Sequence, residues 1–228
     1  MPPRALEPAG VALVDKPSGP SSFAVVAQIR RVTGARTGHA GTLDPFASGL
    51  LLLLSGRATK LAPCLVGLDK RYRTEIDLAS RTSTGDPEGE VVERRDAPAE
   101  AELAARLEAL RGEIELPIPA ASAVKIGGER AHRLARRGVE VEMPLRRSTV
   151  RALDVIAYTG GQVTLDLLVS SGTYIRSIAD ALGGHCVTLR RTEVGPFSVD
   201  DAVAPEAFTP ERLLAGDDVL SRVGAMAG

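Results

Sequence analysis

Apolar residues recur along the chain with two different periods. Residues 11–14 (VALV) form a short apolar run closed by Asp15-Lys16-Pro17-Ser18-Gly19-Pro20, the pattern of a strand ending in a turn. Ser21 or Ser22 can then cap a helix. Its apolar positions Phe23, Val26, Ile29 and Thr33 recur at helical spacing, and Gly34 is a plausible stop. Residues 35–49 (ARTGHAGTLDPFASG) read as a Gly-rich, Pro-containing loop. The unbroken run of leucines at 50–54 reads as a strand buried on both faces. Tyr72, Thr74, Ile76 and Leu78 alternate with Arg73, Glu75, Asp77 and Ala79, which predicts a strand carrying Tyr72 on its apolar face. Residues 85–89 (GDPEG) predict a turn. Leu103, Leu107 and Leu110 predict a helix with an acidic first turn and Gly112 beyond its end.

The second half continues in the same manner. Val163, Leu165, Leu167 and Val169 mark another alternating strand, and Ile175, Ile178 and Leu182 a helix that stops at Gly183. Residues 187–194 and the segment near Val199 read as closing strands. Strands and helices mix without regular βαβ alternation, so the expected fold class is α+β with a mixed sheet.

Composition narrows the classes. Of 228 residues, 44% are hydrophobic and 25% charged, the balance of a globular protein long enough to bury a core. Disorder, a collagen-like repeat and a coiled coil are not expected from this balance. Aromatics are only 3% and Trp is absent, so Leu, Val, Ile and Ala must fill the interior. Apolar runs such as Leu50 to Leu54 are far too short to span a bilayer, and residues 1–10 carry no apolar signal core. The expectation is a cytoplasmic protein. Cys64 and Cys186 lie far apart, and His39, His132 and His185 show no H-x-x-x-H spacing. That pattern supports neither a disulfide framework nor a metal, and no cofactor is expected.

Net charge is −1, but its distribution is uneven. Residues 1–75 hold 10 basic and 5 acidic side chains, residues 76–120 hold 5 and 11, residues 121–200 hold 11 and 8, and residues 201–228 hold 2 and 5. Arg supplies 24 of the 28 cations. Arg suits bidentate phosphate contacts, although a GC-rich genome gives the same bias.

Two segments hold chemistry. In Gly38-His39-Ala40-Gly41-Thr42-Leu43-Asp44-Pro45, Gly38, Gly41 and the nearby Gly49 allow close approach of backbone to a ligand. Pro45 keeps Asp44 out of the helical region, a way of presenting a carboxylate rigidly; the plainer reading is a turn Asp capping the next element. In Ser170-Ser171-Gly172-Thr173-Tyr174-Ile175-Arg176, a strand ends in small residues and opens a helix. Arg176 in a first helical turn opposes the helix dipole and needs compensation. Either an i,i+4 pair with Asp180 or a salt bridge to a distant active-site carboxylate would supply it.

GHAGTLDPFASGLL, KRYR, SGTYIRSIAD and LRRTEVGPF, together with the opening VDKPSGPSSFAVVAQIRR, occur in the order and at roughly the spacing of the TruB family of bacterial tRNA pseudouridine synthases. The resemblance covers about residues 11–200. It implies a pseudouridine synthase fold, with a mixed, largely antiparallel sheet flanked by helices and a basic thumb insertion at about 125–147. The implied domains are a catalytic domain at 1–200 and a short tail at 201–228 without the C-terminal RNA-binding (PUA) domain of many relatives.

The implied reaction converts uridine 55 of the tRNA T arm to pseudouridine. The C1′–N1 bond breaks, the uracil rotates, and C5 bonds to C1′. This needs neither redox chemistry nor energy input, in keeping with the missing phosphate-loop signature. By resemblance Asp44 is the nucleophile and Tyr72 stacks on the extracted uracil and can move a proton. Arg176 keeps Asp44 ionised, and Tyr174 and Leu189 line the uracil pocket. The base must flip out, and His39 matches the residue that contacts RNA where the base has left. Taken on their own, Tyr72 and Leu189 also read as core residues and His39 as a structural hydrogen-bonder.

The partner implied is the T stem-loop of tRNA, with no membrane, no obligate protein partner and a monomeric state. Phosphate contacts are expected from Lys16, Arg36, Arg57, Lys60, Lys70, Arg71 and Arg73. In the thumb they are expected from Lys125, Arg130, Arg133, Arg136, Arg137, Arg146 and Arg147, set against Glu129, Glu140 and Glu142, with affinity falling as salt rises. The plainer reading of the thumb is a solvated basic helix and loop, with Arg133 pairing Glu129 at i,i+4. The stretch Gly183-Gly184-His185-Cys186 looks shorter than in the family, and Phe23 and His132 stand where the family leads one to expect a His and an aromatic. The rival readings are a non-catalytic tRNA-binding chaperone, a carboxylate hydrolase needing a second acid near Asp44, and a synthase acting on another RNA.

Overall fold

The computed structural model describes residues 8–122, 124–131, 137, 139 and 142–226. The chain forms two compact units, residues 1–72 with 189–228 and residues 73–188.

The first unit is built on β1 (Gly10–Lys16) paired antiparallel with β3 (Ser48–Ser55). The leucine run of β3 is unbroken because each face of this pair meets a different layer. Leu50, Leu52 and Leu54 join Val11 and Leu13 in one cluster with Phe197 and Val219. Leu51 and Leu53 join Ala12 and Val14 in another, against α1 (Ser22–Thr33) and Phe208. A strand buried on both sides cannot alternate. All five leucines are at most 1% exposed.

Ser21 caps α1, its hydroxyl accepting from the Ala24 amide at 3.2 Å, and Gly34 ends the helix at φ 65°. The buried face is Ser22, Val25, Val26, Ile29 and Thr33. Phe23, placed by its spacing on the apolar face, points to solvent instead. Its azimuth lies about 60° beyond Val26, on the far side from Ile29, at ~100° per residue.

The predicted loop at 35–49 contains a short strand, β2 (Thr37–His39), which pairs with the outer end of β3. After β3 a 3-10 turn (Gly56–Leu61) and α2 (Ala62–Val66) lead to β4 (Lys70–Asp77), within which the chain enters the second unit. β12 (His185–Val194) brings the chain back; Arg190 and Arg191 pair in parallel with Ser48 and Gly49 of β3, and β13 (Phe197–Ser198) pairs with β12. Residues beyond 200 pack on β1: Val203 and Leu214 bridge to Val14 and Val11, and Val219 of a final helix (Gly216–Gly224) is fully buried.

In the second unit, β4, β11 (Gln162–Val169), β10 (Leu145–Thr159) and β7 (Gly112–Pro117) lie side by side in that order, with β10 antiparallel to both its neighbours. The alternation read from the sequence is present: Val163, Leu165, Leu167 and Val169 are fully buried, as are Thr74 and Ile76 of β4. Helix α3 (Glu100–Glu108) buries Leu103 and Leu107, and helix α4 (Ile175–Ala181) buries Ile175 and Ile178. Two small hairpins, β5 (Ser80–Thr82) with β6 (Val91–Arg94) and β8 (Lys125–Ile126) with β9 (Glu129–Arg130), complete the unit. The fold is α+β with a mixed, largely antiparallel sheet, as the sequence predicts.

Candidate active site

Asp44 in the first unit is half-buried on the turn between β2 and β3. Both flanking residues are tied down. On one side the Leu43 amide donates to the Ser22 hydroxyl at 2.8 Å, and that hydroxyl donates back to the Leu43 carbonyl at 2.9 Å. On the other side the Pro45 carbonyl accepts from the Gly19 amide at 2.8 Å and from the Lys16 ammonium at 3.2 Å. The turn itself closes with the Ala47 amide on the Asp44 carbonyl at 3.2 Å. Pro45 restricts the backbone of Asp44 and these bonds anchor it to α1 and to the end of β1.

A buried arginine that the sequence reading left unassigned holds the same loop. Arg191, 1% exposed, donates from Nε to the Leu50 carbonyl at 2.7 Å, and from its terminal nitrogens to Thr42 at 3.2 Å and Gly41 at 3.5 Å. Gly49 makes this approach possible: at φ 104°, a Cβ there would sit 2.2 Å from the Arg191 carbonyl oxygen. Arg191 also acts at a distance. Burial first and its charge second hold the His39 imidazole below its usual value, so His39, on the exposed rim of β2, is neutral at pH 7.

Tyr72 and Leu189 belong to the same unit as Asp44 and lie on neighbouring strands. Tyr72 is 8% exposed and Leu189 7%. The Thr192 hydroxyl donates to the Arg71 carbonyl beside them at 3.3 Å. Both side chains are therefore part of the packed interior, whatever further role they have.

In the second unit Tyr174 stands half-buried at the N-cap position of α4 and Arg176 lies in its first turn. Arg176 is 3% exposed and meets Asp86, itself 4% exposed, at 3.3 Å. Its guanidinium also donates to the Thr84 carbonyl at 2.9 Å and the Ala121 carbonyl at 3.0 Å. Asp86 is fixed in turn by the Thr84 hydroxyl at 2.5 Å and the Glu88 amide at 3.1 Å. The i,i+4 pairing of Arg176 with Asp180 does not form, because Asp180 pairs with Arg81. Asp86 was missed by the sequence reading, although Asp86-Pro87 repeats the Asp-Pro signature that drew attention to Asp44-Pro45.

The basic residues divide by exposure. Lys16 and Lys70 are corrections to the expected RNA contacts. Lys16 is fully buried and donates to the carbonyls of Pro17, Pro20 and Pro45. Lys70 is 6% exposed and donates to those of Val66 and Leu68 at 2.6 and 2.5 Å. Burial, with Arg191 adding to it, lowers the Lys70 ammonium to about 8 despite Asp69. Both lysines hold the backbone together rather than face a ligand. Arg36, Arg57, Lys60, Arg73, Lys125, Arg130, Arg137, Arg146 and Arg147 are exposed, and Arg71 is half-buried. Arg137 pairs with Glu129 at 2.7 Å, so the carboxylate assigned by spacing to Arg133 is engaged by another residue. Arg133, Arg136, His132 and Glu140 lie outside the described residues. Among the described residues no group of His, Cys, Asp and Glu could hold a metal ion, and no helix is long and apolar enough to cross a membrane.

The model of the TruB family pseudouridylate synthase (N terminal domain) matches residues 30–175. A tRNA pseudouridine synthase B from Mycobacterium sp. (strain KMS) is 43% identical over 219 residues, covering 90% of this chain and 74% of that one. Another from Leifsonia xyli subsp. xyli is 46% identical over 206 residues, covering 83% and 68%. Among solved structures, a chain of a Cbf5-Nop10-Gar1 complex superposes with a TM-score of 0.66 at 31% identity, and a chain of an H/ACA RNP bound to a substrate RNA with 0.65 at 25%. These cover 85% and 88% of this chain, which spans about half of each solved chain (51% and 52%). The chain belongs to the TruB family of pseudouridylate synthases, enzymes of the isomerase class.

Proposed function

We propose that the protein isomerises uridine 55 in the T arm of tRNA to pseudouridine, with Asp44 as nucleophile. The observation that carries this reading is the double anchoring of Asp44: the residues on either side of one partly accessible carboxylate are hydrogen-bonded to α1 and β1. A turn Asp that merely caps an element needs no such support. The names of the bacterial relatives, each a tRNA pseudouridine synthase B, supply the substrate class.

The chemistry follows in order. The uridine leaves its stack, at a cost of a few kcal/mol, and neutral His39 occupies the space it vacates. Tyr72 supports the free uracil. Asp44, ionised, assists departure of N1 from C1′; the uracil turns, C5 bonds to C1′, the proton on C5 passes to water and N1 takes up a proton. Family resemblance, rather than a distance, supports Arg176 as the cation that keeps Asp44 ionised and Tyr174 and Leu189 as pocket residues. The exposed arginines and lysines are the source of phosphate contacts.

The test is tritium release from an unmodified tRNA transcript labelled at uridine C5. Wild type should release label, Asp44→Asn should lower release by at least about a thousandfold, the scale of losing a nucleophile, and uridine-to-cytidine replacement at the target should abolish it. Release by Asp44→Asn near the wild-type rate would remove Asp44 from the chemistry. No release by wild type, with tight binding of the same tRNA, would favour the chaperone reading.

A further inference from the structure

The protein has four Phe, three Tyr and no Trp. Two of the phenylalanines, Phe197 and Phe208, are core residues at 0% and 4% exposure. Phe23 is 76% exposed, the most exposed large apolar side chain among the described residues. Nothing about α1 requires an aromatic there: the helix is capped by Ser21, and its buried face is complete without it.

Three observations say what this ring faces. Phe23 follows Ser22, whose hydroxyl clamps Leu43, and Leu43 precedes Asp44. The ring thus stands at the same end of α1 as the anchored carboxylate. The rest of that helix face is Ala24, Ala27, Arg30 and Arg31, and α1 contains no acidic residue. Arg30 and Arg31 are exposed, about 10 Å further along the axis at 1.5 Å per residue. An exposed aromatic followed by two exposed cations on a helix that carries no carboxylate of its own fits a nucleic-acid strand, with a base on the ring and phosphates on the arginines.

We infer that Phe23 is a stacking platform for an unpaired RNA base other than the target uridine, with Arg30 and Arg31 binding the adjoining backbone. The occupant is an RNA strand rather than a protein, because an apolar protein partner would leave both arginines without counter-charge. The inference rests on the proposed RNA substrate and deepens it: it adds a recognition surface along α1 outside the uracil pocket.

The absence of Trp makes the test direct. In the Phe23→Trp variant of this chain the single indole reports on this position. Its fluorescence should be quenched when the unmodified tRNA transcript is added. Phe23→Ala should raise Kd for the transcript about tenfold, and Phe23→Tyr should restore it. Arg30→Ala and Arg31→Ala should each reduce the slope of log K against log salt by about one.

Tritium release separates the possible failures. If wild type releases label but Phe23→Trp is not quenched and Phe23→Ala binds normally, the platform is overturned while the enzyme reading stands. If wild type neither binds nor converts the transcript, both fall. If Phe23→Ala changes only sedimentation, the ring is a self-association contact and the inference is wrong.

Discussion

Arg191 in the first unit and Arg176 in the second are both almost fully buried, yet their partners differ in kind. Arg191 donates to the carbonyls of Leu50, Thr42 and Gly41. Arg176 donates to carbonyls too, but also meets the carboxylate of Asp86. Carbonyl dipoles solvate a guanidinium without cancelling its charge, so the field of Arg191 reaches outward and adds to the burial that depresses both His39 and Lys70. Arg176 has a carboxylate, Asp86, among its own buried contacts. One arginine organises a loop and adds its charge to the effect of burial on its neighbours; the other, paired with Asp86, holds α4 to the 82–86 turn.

The largest effect expected from this contrast is at the pair. Arg176→Met leaves Asp86 buried without its cation and should destabilise the protein by about 3–5 kcal/mol, besides lowering kcat. Arg176→Met combined with Asp86→Leu removes both charges. It should recover most of the stability in urea unfolding while remaining as inactive as the single variant. Recovery of activity along with stability would reduce Arg176 to a structural role. A double variant as unstable as the single one would show that the hydrogen bonds to Thr84 and Ala121, not the ion pair, hold the turn.

The next effect belongs to Lys70. Its ammonium titrates at about 8 in the folded protein against 10.5 when exposed. Between those values the unfolded chain binds more protons than the folded one, so stability rises with pH across the window. At pH 7 the lysine is charged in both states and its burial cost is fully present. Unfolding free energy of wild type minus that of Lys70→Met should be flat from pH 6 to 7.5 and then climb by about 3 kcal/mol towards pH 10.5, the equivalent of the shift. A flat difference over the whole range would mean that the Val66 and Leu68 carbonyls stabilise the charged form enough to offset its desolvation.

These arginines also show where sequence reading works and where it stops. Periodicity located β3, β4, β11 and α4 because their burial follows directly from local pattern. It misplaced Phe23 because a 3.6-residue repeat fixes spacing along a face but not which edge of that face meets the core. Position in the chain marked Arg176 as needing compensation, from Asp180 at i,i+4 or from a distant active-site carboxylate; neither reading named Asp86, a partner 90 residues away in sequence. The 15-residue β10 escaped notice: its first turn of chain is basic and exposed, and two bulges break its alternation. Lys16 and Lys70 looked like surface cations because sequence does not reveal which carbonyls will converge on an ammonium. Asp-Pro marked Asp44 as either a rigidly presented carboxylate or a turn cap, and the Ser22 and Lys16 anchors that give its loop rigidity come from distant elements.

The smallest effect is the most specific to Arg191. If its charge helps to hold the His39 imidazole below the usual range, removing that charge while keeping a polar side chain should raise the His39 midpoint. Arg191→Gln should therefore move the His39 ring signals, followed by NMR, to titrate at higher pH than in wild type. Arg191→Lys, which keeps the charge but lacks the planar fork, should leave the midpoint low while loosening the loop. Burial is the larger cause of the shift, so the recovery is partial in Arg191→Gln and the midpoint stays below that of a free imidazole. An identical midpoint in wild type and Arg191→Gln would assign the shift to burial alone. The difference between the two arginines would then be one of hydrogen bonding, not of field.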